Sequence, residues 1–248
     1  RVSNPEVTVI LPVQNNADSI YRTLESLSFR LHPWATDLII IDNNSTDGTG
    51  DLARNLGLRV FNELRPGISY ARQSGLERAR GKYILSVSAD VVYPPQWGQS
   101  MIQELQDDSE LSCTYGKHNF LPEDHPSWLI SIYRYFADPA QSLRAVNHEF
   151  INVLGCNMAF RRLDAMRVGG YPGEHEIDRE GNGESEDGRL ALRLTKYGKL
   201  KLIDKPDTRV WISNIKFRKD GGIILAFWRR LGRELLRIFP KQKTIHID

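Results

Sequence analysis

Most of the chemistry this sequence can offer rests on carboxylates, and three sets stand out by position: Asp42, Asp90 and the pair Glu186-Asp187. A carboxylate can grip a hard cation or accept a proton from a hydroxyl. Asp90 closes the stretch GISYARQSGLERARGKYILSVSAD, Gly67 to Asp90. In it Ala71, Ser74-Gly75 and Leu76 to Ala79 form a small or apolar face that predicts a helix from Ile68 to Ala79. Gly81 turns the chain, and Tyr83 to Val87 reads as a buried inner strand of a parallel sheet. An acidic residue at the carboxyl end of such a strand lies where open α/β sheets bind ligands. Each group also has a structural reading. Asp42 can cap the Ser45-Thr46 turn, Asp90 can be an exposed strand-end carboxylate, and Glu186-Asp187 can cap the next helix. Three such groups around one sheet edge favour a shared site.

The elements that must position them alternate. Glu6 to Leu11 is strand-like and broken by Pro12, and Asp18 or Ser19 caps a helix with Ile20, Leu24 and Leu27 at helical spacing. Leu38 to Ile41 is a second strand. Thr46 or Asp47 opens a helix to about Leu56, which Gly57 stops, and Leu58 to Phe61 is a third strand. Strand and helix at this cadence predict an α/β fold with a mostly parallel sheet. Pro94-Pro95 begins another helix through Met101, Ile102 and Leu105. Beyond it, Leu111 to Phe120 and Ile151 to Arg161 read as strands, and Trp128 to Phe136 as an aromatic helical segment. Pro172 to Asp187 is a polar, Gly-rich loop, Leu190 to Tyr197 a helix, and Leu200 to Ile203 and Arg209 to Ile212 are strands. Ile223 to Phe239 is a basic amphipathic helix, which suggests a main domain over 1–215 and an extension over 216–248.

With 248 residues, 40% hydrophobic and 26% charged, the chain can bury a sizeable core. A net charge of +2 gives no electrostatic case for nucleic-acid binding. Cys113 and Cys156 have neither CxxC spacing nor the density of a disulfide framework, which points to buried thiols in a reducing compartment such as the cytoplasm. Several familiar signatures fail. Gly75 to Tyr83 has one residue too many for a P-loop, the first strand is not followed by GxGxxG, and His148-Glu149 and His175-Glu176 lack the second His of a zinc protease. Asp42 to Asp51 resembles a calcium loop without its bidentate Glu.

The ordered set VTVILPVQNN, IIDNNSTDGT, GISYARQSGLERARGKYILSVSAD, GCNMAFRR…GGY and EDGRLALRL resembles family 2 glycosyltransferases of the GT-A fold, from about Glu6 to Gly198. The resemblance implies an inverting enzyme that uses a nucleotide-diphospho-sugar donor, UDP by default with GDP or dTDP open. It implies that Pro12 and Gln14 line the base pocket with Asp42 accepting a hydrogen bond from the base. Arg72 would stand near the nucleotide, and Ser88-Ala89-Asp90 would take the place of a DxD motif, Asp90 holding Mn²⁺ or Mg²⁺ on the diphosphate. Asn157 and Glu186 would belong to the sugar and acceptor pocket, and Asp187 would be the general base. The acceptor would be a sugar, a glycan or a lipid-linked sugar.

The chain departs from that pattern at Ser88, which replaces the first Asp, and at Gln14 and Asn16, which replace an aromatic residue and an acid. No histidine lies between His175 and His246 to act as a further metal ligand. The alternative is therefore a catalytically silent nucleotide-sugar-binding module. Lys216, Arg218 and Lys219 would partly neutralise the diphosphate or form a solvated basic loop. The C-terminal stripe Ile224, Phe227, Trp228, Leu231, Leu235, Ile238 and Phe239, flanked by arginines, suits three partners: an anionic membrane surface, the sheet, or a second copy in a homodimer.

Overall fold

A computed structural model describes residues 4–28, 36–121, 153–173 and 185–213. Compactness divides the chain into one unit of 1–119 with 153–213 and another of 120–152 with 214–248, and the described residues fall almost wholly in the first. The aromatic segment 128–136, the basic residues 216–219 and the C-terminal amphipathic stretch lie outside the described residues.

The sequence VTVILPV is buried at every position, so it forms a strand covered on both faces: β1, Val7–Val13. The chain then runs through α1 (Ile20–Ser28), β2 (Thr36–Asp42), α2 (Thr49–Asn55), β3 (Arg59–Asn62), α3 (Ile68–Arg78) and β4 (Tyr83–Ser86). β1 pairs in parallel with β2 on one side and β4 on the other, and β3 adds outside β2. The order β3-β2-β1-β4 reverses direction at β1, and ligands of open α/β sheets bind outside the carboxyl ends at such a switch point. The helix α3 can lie close over β1 because Gly75 has no side chain: a Cβ there would stand 2.3 Å from Ile10 Cγ2.

Beyond β4 come β5 (Val91–Val92), α4 (Trp97–Asp107), β6 (Leu111–Gly116), β7 (His118–Phe120), β8 (Met158–Arg161), α5 (Arg162–Arg167), α6 (Glu186–Leu194), β9 (Lys199–Ile203) and β10 (Val210–Ile212). The seven-stranded sheet is completed in the order β4-β8-β6-β9, with β8 antiparallel to both neighbours and β6 parallel to β9. A second, three-stranded sheet orders β5-β10-β7. The mostly parallel α/β architecture is as the sequence predicts.

Boundaries differ at several elements, four of them with a clear cause. The first strand continues through Pro12 to Val13. The carbonyl of Ile10 faces β4 and that of Val13 faces β2, so by alternation the missing N–H of Pro12 points to the β4 side, where the β1–β4 ladder has ended. The expected strand Leu111 to Phe120 is two strands in different sheets, because the chain leaves the first sheet at Lys117. Its carbonyl there accepts from Asn157 Nδ2 at 2.8 Å and from the Val210 N–H of β10 at 3.2 Å, which hands the chain to the second sheet. Val153 to Asn157 is a turn closed by Asn157 N–H to the Leu154 carbonyl, so only Met158–Arg161 extends. Helix α6 begins at Glu186, four residues before Leu190, because Ser185 caps it by accepting from the Gly188 N–H at 3.2 Å.

Candidate active site

The carboxyl ends of β1, β2 and β4 present the first group of residues. Pro12 and Val13 pair with Ile41 and Asp42, which sets Gln14 beside Asn43 at the sheet edge. Gln14 is exposed, whereas Asp42 is buried. One oxygen of Asp42 accepts from the Ser45 N–H at 3.0 Å, so the turn-capping reading holds. The other packs against Gly50, where a Cβ would lie 2.1 Å away. The loops after β1 and β2 are latched together: the N–H groups of Asn15, Asn16 and Ala17 donate to Ser45 Oγ, Thr49 Oγ1 and Asp47 Oδ2, and Thr46 N–H donates to Asn15 Oδ1. Asn43 extends the latch, donating to the Glu63 and Arg65 carbonyls and accepting from the Gly67 N–H.

After β4 the chain carries Ser88 and Asp90, both half-buried, with Ala89 buried between them. This loop is held by a phenol. Tyr93 is 1% exposed, and its hydroxyl accepts from the Ser88 N–H at 3.0 Å and donates to the Cys156 carbonyl at 2.9 Å. The Asp90 carbonyl accepts from the Ser213 N–H at 2.8 Å.

Glu186 and Asp187 occupy the first turn of α6, where the positive end of the helix dipole favours carboxylates. Ser185 does the capping, so neither acid is needed for it. Asp187 is buried, and its Oδ2 accepts from the Gly155 N–H at 2.7 Å. Arg72, buried on the inner side of α3, sets Nη1 3.3 Å from Asp187 Oδ1 and Nε 3.5 Å from Glu186 Oε1. It also donates to the Gly155 carbonyl at 2.6 Å and to Ser86 Oγ on β4. Burial pushes the Asp187 carboxyl up from 3.8 to about 7; Arg72 works downward and neighbouring Glu186 upward. One guanidinium between two carboxylates does not offset the desolvation. Arg72 itself is held above its ordinary value: burial lowers it, and Asp187, Tyr171, Glu186 and Cys156 together outweigh that.

The structure thus gathers Arg72, Glu186 and Asp187, and it ties Ser88-Ala89-Asp90 to them through one turn. Cys156 links the two groups: its thiol is pushed up to about 12, first by burial and then by Asp90, with Arg72 and Asp187 also acting on it. Two of the expected site residues lie in the interior. Arg72, 3% exposed, faces carboxylates and backbone. Asn157 is fully buried: its Oδ1 accepts from Trp97 Nε1 at 2.7 Å, and its Nδ2 donates to the Lys117 and Thr208 carbonyls. Among the described residues no three His, Cys, Asp or Glu side chains group to hold a metal. A depression of about 270 Å³ along α4, lined by Gln99, Gln103, Glu104 and Lys205 among others, contains none of the site residues.

Sequence reasoning missed Tyr93, Gly155 and Tyr171. Tyr171 packs its ring 6.0 Å from the Arg72 guanidinium, points its hydroxyl at Ser86 Oγ at 3.4 Å, and takes its backbone N–H to Gln73 Oε1 at 2.9 Å. Gly155 has room only for hydrogen, since a Cβ would stand 1.9 Å from Asp187 Oδ1. Gly155 and Tyr171 stand inside the GCN and GGY motifs without a role assigned to them, and the signal for Tyr93 was its place three residues after Asp90.

The α/β fold with its mostly parallel seven-stranded sheet is that of GT-A glycosyltransferases. The glycosyl transferase family 2 model matches residues 8–168, and the chain belongs to that family. It is 33% identical over 117 residues to YibD, an uncharacterised glycosyltransferase of Escherichia coli, a match covering 44% of this chain and 33% of YibD. The chain spans less than half the length of the curated relatives it matches first. Among solved structures, the mannosyltransferase PcManGT of Pyrobaculum calidifontis, in complex with GDP-Man and Mn²⁺, superposes with a TM-score of 0.62 at 20% identity, covering 96% of this chain and 71% of that one. The glucosyl-3-phosphoglycerate synthase of Mycobacterium tuberculosis, with Mn²⁺, UDP-glucose and phosphoglyceric acid, gives 0.62 at 19%, covering 92% and 80%.

Proposed function

We propose that this chain moves a sugar from a nucleoside-diphosphate-sugar to an acceptor hydroxyl with inversion at the anomeric carbon, Asp187 taking the hydroxyl proton. The observation that carries this reading is the setting of Asp187: its Oδ2 is held by the Gly155 N–H at 2.7 Å, its buried Oδ1 makes no hydrogen bond, and burial raises its proton affinity, as suits a general base. Cleavage at the anomeric carbon passes through an oxocarbenium-like state, so an acceptor that loses its proton as it attacks from the face opposite the diphosphate yields inversion. Pro12, Gln14 and Asp42 would receive the nucleobase, with UDP the default and GDP the next donor to try.

A divalent cation, Mn²⁺ or Mg²⁺, fits the donor set at the end of β4. Such ions are commonly held by one or two carboxylates, with substrate phosphates and waters completing the shell. Asp90 would be its protein ligand, half-buried on a loop that Tyr93 keeps in place. The cation would supply charge neutralisation of the departing diphosphate. The complexes of the two structural relatives with Mn²⁺ and nucleotide-sugars support this assignment. The expected division of labour is a catalytic domain over 1–215 and an extension over 216–248.

A silent binding module is the second reading, favoured by Ser88 in place of a carboxylate. Both readings meet one experiment: incubation with a panel of UDP- and GDP-sugars and Mn²⁺, measuring free nucleoside diphosphate alongside the thermal shift of the protein. Release of diphosphate from at least one donor supports the transferase. A donor that raises the melting temperature while no donor is ever cleaved, with any sugar acceptor, leaves the binding module.

A further inference from the structure

We propose that Arg72 is a positioning residue for Asp187, a buried cation that favours the ionised form of this carboxylate and aims it while tying it to the strand that leads to Asp90. The inference rests on the reading of Asp187 as the base, and it gives Arg72 a task other than nucleotide contact. Three parts of the fold meet at the guanidinium. Nη1 donates to Ser86 Oγ of β4 and to the Gly155 carbonyl of the turn before β8, and it stands 3.3 Å from Asp187 Oδ1 of α6. The same Gly155 gives its N–H to Asp187 Oδ2, so arginine, turn and carboxylate close a ring of contacts.

The ion pair inside that ring is offset. Neither Arg72 Nε nor Asp187 Oδ1 makes a hydrogen bond, although both are buried. The anchors on Ser86 and Gly155 fix the guanidinium, and the guanidinium then supplies charge to Asp187 without occupying Oδ1 with an N–H. That leaves an oxygen able to accept a proton, which a direct two-pronged salt bridge would have blocked. Tyr171 covers the pair from the side, with its ring 6.0 Å from the guanidinium. Among the described residues, the ionisable groups facing Asp187 are Arg72 from α3, Glu186 on its own helix, the Tyr171 phenol and the Cys156 thiol, and Asp90 acts on that same thiol. Arg72 is the one cation among them.

The test follows the aspartate carboxyl carbons by ¹³C NMR across pH in the full chain, with Asp187→Asn identifying the Asp187 signal, alongside the pH profile of kcat/KM. Arg72→Gln keeps a hydrogen-bond donor and removes the charge. Because an opposite charge at this range depresses a carboxylate by about 1 to 3 pH units, the midpoint should rise by that amount, and the acid limb of the profile should rise with it. Arg72→Lys, which keeps the charge, should hold the midpoint within about one pH unit of wild type. An unmoved midpoint in Arg72→Gln, with activity lost equally at every pH, would mean a purely structural role and overturn the proposal. If Arg72→Gln does not fold, Glu186→Gln decides. Removing the competitor for the guanidinium should lower the midpoint, and no change refutes the shared cation. The NMR midpoints stand apart from catalysis. Shifts as expected with no donor cleaved would sink the transferase reading alone, and normal transfer with unmoved midpoints would sink the role of Arg72 alone.

Discussion

Replacing Gly155 by alanine adds a single methyl group at the point where Asp187 is held. The backbone at Gly155 is outside the left-handed region, so alanine meets no conformational penalty there and the effect comes from its Cβ. That Cβ would lie 1.9 Å from Asp187 Oδ1, 2.1 Å from Cγ and 2.3 Å from Oδ2. Real carbon–oxygen contacts stay beyond about 3 Å, so the carboxylate must retreat by on the order of 1 Å. The retreat breaks the 2.7 Å bond from the Gly155 N–H, a charge-assisted interaction of about 1.5–3 kcal/mol. A reacting group displaced by about 1 Å loses roughly a hundredfold in rate. Steady-state transfer kinetics with a cleaved donor, together with calorimetric donor binding, should give kcat down about a hundredfold and the donor Kd within about threefold. A kcat within twofold of wild type would show that the position of Asp187 does not matter to the reaction.

Three further outcomes follow from the same geometry. Asp187 holds its proton more tightly folded than unfolded, so on its own account it weakens the fold as pH rises from about 4 to about 7 and adds nothing further above that. The melting temperature of wild type relative to Asp187→Asn should therefore decline across that window, and a flat difference contradicts it. Asn157→Ala orphans the Trp97 indole N–H and the Thr208 carbonyl, while the Lys117 carbonyl keeps the Val210 N–H, so it should destabilise by about 2 kcal/mol or more in urea titration without a selective rise in donor KM; a KM effect at unchanged stability would place Asn157 in the pocket. Arg161 donates to the carbonyls of Leu105 and Asp108 at the end of α4 and of Leu111 at the start of β6, and Arg161→Ala should cost about 2–3 kcal/mol with kcat unaltered. A loss below about 0.5 kcal/mol would mean that water replaces it.

The half of the fold built on local signals was legible. Runs such as VTVIL and LIII can only be inner strands, Gly57 at φ +74° ends α2, and small residues on α3 mark its seat against β1. The carboxylates at strand ends were legible for the same reason, since a polar residue ending a buried run marks the sheet edge. What escaped was set by partners distant in the chain. Nothing local says that β8 runs antiparallel, or that Lys117 gives its carbonyl to a side chain 40 residues away. Arg72 reads, through the resemblance, as a charge near the nucleotide, and nothing local in the sequence brings Ser86, Gly155 and Asp187 around it. Tyr93 reads as a loop aromatic until its hydroxyl is found between Ser88 and Cys156.

The most direct measurement is the rate of sugar transfer by Asp187→Asn beside its affinity for the donor. The amide keeps the shape of the carboxylate and can still take the Gly155 N–H, but it cannot accept the acceptor's proton. Donor Kd should stay within a few-fold of wild type while kcat falls by about a hundredfold to ten-thousandfold at neutral pH, as expected for loss of a general base. Transfer at the wild-type rate in Asp187→Asn would contradict the assignment of Asp187 and, with it, the reading of the site.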